Sequence, residues 1–513
     1  DPDNLADQPL AALPVLAGSR TVAHQEGIRV EATSYGNPVT FTPGDRPFHA
    51  VDGRSDTAWR VGGFSDVRGE HLTLQLDQPQ DLEGITIVQA GGADQNRWIT
   101  DIVVDVDGRA HRATLDQASH REPGQWVPLV TTSPSSTIVV EIAGTDAGER
   151  PHYAGLSAVG FAEVTIDGVT PRETIVLPTS LTTVIGPDRG AELVVLLSRQ
   201  RVDPRDPQRH DPEVAMDRTV DVPWDRTFRL SGEARLSTHA PDGTWDRPGV
   251  TARATGSLAG DLGSRPRSAI DGDLDTAWQS PVGSAAGERL ILDLGRTQLV
   301  DGLQVVFRSD GLHSVPTTVV VSGDDGSIGE VDLPGTLRTP SGTTRVTLDL
   351  PPFTSRTVTL EFRDVAERIT MGWTTGLPQV LPLGVVEVEA DPALPTAATA
   401  YPGTCRDDLL EVDGRAVPVR LTGNWGQSPD RRATPIEPCG ADLHLAAGAH
   451  RIVMASGNDT GIDLDRLVLT SSGLGSSTVP LPEVTVVDRG RTSMTVASTS
   501  ARLRWSTASP TAG

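Results

Sequence analysis

The chain is expected to be all-β, a string of antiparallel sandwich modules of jelly-roll type. Three observations lead there. Gly 52 and Pro 39 punctuate the 513 residues, and the apolar runs between them are short and rich in Val, Ile, Leu and Thr, the composition of strands joined by turns. Segments such as HLTLQL (71–76) and RLILDL (289–294) alternate apolar with polar residues, as half-buried strands do, and no segment carries a convincing helical period. The length exceeds what one hydrophobic core can serve, and at roughly 100–200 residues per domain it predicts about three to five units.

Charge and composition exclude several functions. The net charge is -24 with a pI near 4.8, and all 44 basic residues are Arg. Nucleic acid and anionic membrane surfaces reward basic patches, so neither is an expected partner, whereas a neutral ligand or a cation is compatible. Much of the acidic excess also serves solubility. No stretch approaches the roughly 20 apolar residues of a membrane span. The sequence opens at Asp1 without a signal peptide, which suggests a segment of a longer protein. Cys405 and Cys439 stand alone in the loops YPGTCRDD and IEPCGADL. An isolated pair with no His at zinc-finger spacing favours a disulfide over metal, with two buried thiols as the alternative.

An internal repeat organises the sequence. AVDGRSDTAW (50–59) recurs as AIDGDLDTAW (269–278), EHLTLQLDQPQDLEGITIV (70–88) as ERLILDLGRTQLVDGLQVV (288–306), and STIVVEI (136–142) as RTVTLEF (356–362). The copies close on GFAEV (160–164) and GVVEV (384–388), and the offset is 219 residues at the first motif and 224 at the last. Such steady spacing marks a duplicated domain. The resulting division is a lead-in (1–26), a first module (27–168), a β-rich connection (169–221), a second module (222–390), a third jelly-roll unit (391–480) and a β tail (481–513).

The order AxDGxxxTAW, a strand ending LILDLG (290–295) and a closing GxxEV resembles the discoidin, or coagulation factor 5/8 type C, domain, which is similar to family 32 carbohydrate-binding modules. Residues 391–480, with their LHLAAGAH and DLDRLVL segments, resemble other jelly-roll carbohydrate-binding modules. In the Asp-Gly loops, Asp52 with Thr57 and Asp271 with Thr276 can converge with turn carbonyls on one point, as oxygen ligands of Ca²⁺ do. The resemblance implies a structural Ca²⁺ there, joined by Glu163 or Glu387 from the closing strand. A metal-free Asx-turn is the alternative. Trp59 and Trp278 read as core anchors.

Sugar sites combine an aromatic face with polar loop groups. In the first copy, 90–101 offers Asp94, Gln95, Asn96, Arg97 and Trp98, and 60–70 offers Arg60 and Phe64. Plain packing remains the other reading of Trp98. The matching second-copy loops, SPVGSAAGE and RSDGLHSVP, carry no aromatic residue, although Trp373 there replaces Tyr153. Trp425 supplies a candidate in the third unit. Asp-x-Asp triplets (Asp105 and Asp107, Asp273 and Asp275, Asp463 and Asp465) sit in β modules without the βαβ alternation of nucleotide-sugar transferases, and no hydrolase, metalloprotease, P-loop or dinucleotide motif occurs. No catalysis by this segment is expected.

The stretch from Arg199 through VDP, DPE and RTFRLSGEARLS, preceded by GFAEVTIDGV, is similar to the extracytoplasmic part of actinobacterial α-(1→3)-arabinofuranosyltransferases of the D type. That resemblance implies an arabinan or arabinogalactan glycan as partner. It also implies a membrane-embedded catalytic part of the same polypeptide that uses decaprenyl-phosphate arabinose to build arabinogalactan and lipoarabinomannan. The alternative is a set of accessory or adhesion modules of a secreted glycoside hydrolase or cell-surface protein.

Overall fold

The computed structural model describes residues 18–37, 42–91, 97–147, 157–180, 192–200, 213–238, 249–335, 342–372, 377–394, 403–423, 433–471, 484–489 and 494–498. The fold is all-β, and among the described residues the named strands pair antiparallel with one parallel exception, Arg172–Val176 beside Met216–Val222.

The two repeats fold alike, strand for strand. In the first, a five-stranded sheet runs in the order Ile28–Ala32, His71–Gln80, Ser135–Thr145, Ile99–Val106, Arg109–Thr114. It faces a four-stranded sheet ordered Trp59–Val61, Val159–Thr165, Gly84–Gln89, Gln125–Pro128. The second copy reproduces both orders with Thr251–Ala254, Glu288–Val300, Phe353–Ala366, Val315–Gly323, Gly326–Asp332 and with Trp278–Gln279, Gly384–Asp391, Gly302–Ser309, Gly342–Leu348. The alternation of HLTLQL explains the layering, since Leu72, Leu74 and Leu76 point inward while Thr73 and Gln75 do not. Trp59 and Trp278 lie fully buried between the sheets, packed against Phe161 and Phe362 with 5.7 Å between ring centroids in each copy. Each indole N–H donates to a carbonyl, of Ser34 at 2.9 Å and of Gly256 at 3.0 Å, so neither ring leaves a polar atom unmet.

The third sandwich divides the chain differently from the sequence reading. One sheet takes Val22–Glu26, Arg172–Val176, Met216–Val222, Gly448–Met454, Leu410–Val412 and Arg415–Ala416. The other takes Leu193–Ser198, Ile462–Ser471, Arg226–Leu236, Thr434–Pro438 and Val419–Leu421. The lead-in, the connection and residues 391–480 are therefore one discontinuous host body, and Arg226–Leu236, assigned from sequence to the second module, belongs to it. One core joins them, from Leu197, Met216 and Phe228 to Ile452, Leu464 and Leu469. The physical reason is register: Leu230 lies opposite Leu469 of Ile462–Ser471 and Phe228 opposite Leu443, so alternation along Arg226–Leu236 turns its apolar face into the host core.

Both repeats are guests inserted in this host. Val22–Glu26 and Arg172–Val176 pair antiparallel with Glu26 opposite Arg172, so the whole first module occupies the turn of a hairpin. Gly27 at the junction has φ +82, and a Cβ there would lie 2.8 Å from the Thr170 carbonyl oxygen, a close approach that only glycine permits. The second module leaves and re-enters at one turn: Ser237 N–H donates to Gly461 O at 3.0 Å and Arg406 Nη2 to Thr460 O at 3.0 Å. Close entry and exit points are what make domain insertion tolerable. Just beyond re-entry a disulfide joins Cys405 to Cys439, with 6.1 Å between Cα atoms. In the tail, Val484–Arg489 pairs with Met494–Ser498, and the segment ARLRW lies outside the described residues.

This division makes an expected outcome. A fragment spanning 249–394 retains a complete core and folds alone with a cooperative thermal transition. A fragment spanning 391–480 lacks the strands that cover Gly448–Met454 and Ile462–Ser471 and stays unfolded by circular dichroism. A folded 391–480 fragment would contradict the assignment.

Candidate glycan- and cation-binding site

The Asp-Gly loops repeat one geometry. In the first copy Thr57 Oγ1 lies 2.8 Å from both Asp52 carboxylate oxygens and 3.1 Å from the Arg54 carbonyl, while Arg54 N–H donates to Asp52 at 3.1 Å. Gly53 N–H donates to Glu163 of the closing strand at 3.0 Å. In the second copy Thr276 lies 2.9 and 3.1 Å from the Asp271 oxygens, Asp273 N–H donates to Asp271 at 2.9 Å, and Gly272 N–H to Glu387 at 3.0 Å. The Asx-turn is thus present in both loops, and so is the juxtaposition of two carboxylates.

That juxtaposition is costly. Burial, opposed by the Thr57 hydroxyl, pushes Asp52 up to about 7. Burial and then the Asp52 charge push Glu163 up to about 7, and burial pushes Glu387 up to about 7 and raises Asp271. Either a proton or a cation relieves such a pair. Among the described residues no three His, Cys, Asp or Glu side chains converge, so a cation at either loop would draw on two carboxylates, the threonine hydroxyl and turn carbonyls, a donor set suited to a hard ion.

The copies differ in what the loop does next. Arg54 pairs with Asp56 at 2.7 Å and reaches out of its module to Asp459 at 2.9 Å and Ser456 Oγ at 3.2 Å of the host. Asn458 Nδ2 donates back to Asp56 at 2.6 Å. The second copy has Asp273 where the first has Arg54, and Arg308 Nη2 of its own module caps the Asp275 carbonyl at 2.5 Å. Among the described residues, only the first loop is docked on the host through such a latch.

At the other candidate surface, the expected polar donors resolve unequally. Phe64 is exposed, 57%, on a left-handed backbone with φ 70. Arg97 is buried, and its guanidinium donates to the carbonyls of Ser157, Ser65 and Gly62 at 2.6, 2.8 and 2.5 Å. It is a clamp that holds the Phe64 loop beside residue 98, not the ligand donor expected from sequence, because burial commits it to backbone acceptors. Arg60 is half-buried and engaged with Asp45 at 3.4 Å. Trp98 is half-buried, its ring stacked on His120 with centroids 3.8 Å apart and planes 13° apart, so one face is covered and the ring is fixed in plane. Gln95 and Asn96, with Asp94, Tyr153, Trp373 and Trp425, lie outside the described residues.

Sequence reasoning passed over Trp126. It is 45% exposed on the edge strand Gln125–Pro128 and lies across Gly84, where a Cβ would come within 2.3 Å of its ring. The signal was available: in GQWVPL the buried Val127 sets a period of two that turns Trp126 outward.

The raised carboxylates set a pH dependence. In the unfolded chain these groups titrate near 4, and in the folded chain Asp52, Glu163 and Glu387 hold their protons up to about 7. The native state therefore binds more protons between those values, and stability falls as pH rises through the window. Denaturant titration in chelator from pH 4.5 to 8 should show this decline, and Asp52→Asn with Asp271→Asn should make it shallower, the part due to the buried glutamates remaining. A flat wild-type profile would contradict the carboxylate pairing.

The sequence of this chain is similar to known proteins. The family described as arabinofuranosyltransferase D, third carbohydrate binding module, matches residues 248–400. The α-(1→3)-arabinofuranosyltransferase of Mycobacterium tuberculosis is 25% identical over 520 aligned residues, which cover 92% of this chain and 35% of the enzyme. A cryo-EM structure of arabinofuranosyltransferase from mycobacteria superposes with a TM-score of 0.64 at 18% identity, over 93% of this chain and 37% of that one, and that of a mutant gives the same TM-score. The chain thus spans 35% of the length of the curated relative. The second guest is therefore similar to the third carbohydrate binding module of arabinofuranosyltransferase D, in a chain similar along most of its length to part of such an enzyme.

Proposed function

We propose that this chain is the non-catalytic, glycan-binding and scaffolding portion of a membrane arabinofuranosyltransferase acting in arabinogalactan or lipoarabinomannan synthesis. It works on the extracytoplasmic side, beside membrane-embedded catalytic segments of the same polypeptide. The similarity to the mycobacterial enzyme over 92% of the chain supports the parentage. Among the described residues no helix is long and apolar enough to cross a membrane, so the membrane part is assigned to the remaining length of such an enzyme.

The observation that carries the binding role is the pair of aromatic residues at one end of the first guest. Phe64 stands exposed on a loop that Arg97 ties beside Trp98, whose plane His120 fixes. A sugar ring stacks on such a preset face at little entropic cost. Binding of an arabinan through one or two rings and a few hydrogen bonds falls in the millimolar to high-micromolar range, roughly -4 to -6 kcal/mol. Tethering several weak sites beside a polymer raises their effective concentration. Ca²⁺ is the structural ion of this proposal, held by Asp52 and Glu163, or Asp271 and Glu387, with the Thr57 or Thr276 hydroxyl. It supplies the positive charge that the buried carboxylate pairs lack.

Titration of the full chain with an arabinofuranosyl oligosaccharide should give binding that Phe64→Ala and Trp98→Ala each weaken by about tenfold or more, with unchanged thermal stability for the exposed Phe64. Added calcium should raise the thermal transition of the wild type by mass action and leave that of the Asp52→Asn, Asp271→Asn double variant in place. Equal binding by wild type and both aromatic variants would refute the assigned surface.

A further inference from the structure

A cavity of about 640 Å³ lies where the first guest meets the host, within the range of about 300–1,000 Å³ usual for small-ligand sites. It is separate from the Phe64 and Trp98 surface, whose residues do not line it. Its apolar wall comes from both bodies, Pro43 and Phe48 of the guest with Ile175 and Leu177 of the host sheet and its continuation. The polar walls are arginines, each matched by a carboxylate: Arg46 with Glu173, Arg451 with Asp217, Arg218 with Glu213 at 2.7 Å, Arg54 with Asp56 at 2.7 Å, and Arg172 3.8 Å from Glu26.

Arg199 completes the wall and differs from the others. Its side chain is 2% exposed, and Nη1 lies 3.0 Å from Asp463 and donates to the carbonyls of Glu213 and Val214 at 2.8 and 3.1 Å. Nε and Nη2 are buried without a partner among the described residues. Buried donors are expensive to leave unmet, and a site lined by them selects a ligand that brings acceptors. Because Asp463 already balances the Arg199 charge and every other arginine is matched, the cavity holds no surplus positive charge for a phosphate or a uronate. It offers alternating donors and acceptors beside an apolar strip.

We infer that this junction is a second glycan site, which takes a short uncharged oligosaccharide with hydroxyl oxygens on Arg199 and a C–H face on Phe48 and Ile175. The inference rests on the glycan-binding reading for its ligand class, while its location is independent of the surface assigned above. The first guest then serves two purposes: it presents its own aromatic end, and it closes one wall of a cleft that neither body forms alone.

Amide hydrogen exchange of the whole chain, read by mass spectrometry with and without an arabinofuranosyl hexasaccharide, tests this. The wild type should gain protection in 172–176 and 213–220 as well as in 62–66. Ala23→Trp, at an exposed position lining the cavity, should abolish the first and keep the second. Arg199→Lys, which keeps the charge beside Asp463 but removes the unmet donors, should weaken the first by about tenfold, and its thermal transition reports whether the host is intact. Phe64→Ala should do the reverse of Ala23→Trp. Protection confined to 62–66, or protection of 172–176 that survives Ala23→Trp, overturns the inference and leaves the aromatic surface standing. Protection of the junction alone overturns the aromatic surface and leaves the junction. Protection by inorganic phosphate in place of the hexasaccharide overturns the ligand assignment.

Discussion

The architecture depends on the pairing of Arg226–Leu236 with Ile462–Ser471. These strands are more than two hundred residues apart, and their pairing closes the host around the excursion that forms the second guest. Such contacts carry a loop-closure cost that grows only logarithmically with length, so a guest that folds on its own adds little to it. The complementary hairpin of Val22–Glu26 with Arg172–Val176 does the same for the first guest. A guest that folds first would shorten its loop before the host closes, the arrangement under which a high-contact-order host is compatible with a long chain.

The two guests share a fold and diverge in attachment. Both bury a tryptophan under the Asp-Gly loop and both bring a glutamate from the closing strand to that loop. In the first, Arg54 carries the loop onto Asp459 and Ser456 of the host. In the second, the substitution of Asp273 at that position removes the cation that such a latch requires. An exposed ion pair contributes little by itself, but here Arg54, Asp56, Asn458 and Asp459 form a connected set whose hydrogen bonds also fix orientation. The first guest is therefore held against the host along one side, and that contact borders the junction cavity.

Much of this was legible in the sequence, and the gaps have identifiable causes. The repeat fixed two domains because both copies keep AxDGxxxTAW and GxxEV at nearly constant offset, and Trp59 and Trp278 occupy the core positions the motif implied. The host was not legible as one body, because period-two alternation shows that Arg226–Leu236 is a strand without naming its partner, and the nearest strand in sequence belongs to another sheet. Arg97 was misread because a polar loop gives no sign that its guanidinium turns inward to three carbonyls. The aspartates of the carboxylate pairs were read from the Asp-Gly loops and the glutamates from the family resemblance, but their burial and mutual repulsion required the fold.

The central claim is that a discontinuous host carries independent guests, the first of which brings the sugar-binding surface. The most direct measurement replaces residues 28–170 with a short Gly-rich turn between Gly27 and Pro171 and follows amide exchange together with arabinan binding. The account predicts native protection at 216–222, 226–236, 448–454 and 462–471 with binding lost. Loss of protection in those strands would contradict the independence of host and guest, and undiminished binding would contradict the location of the sugar surface.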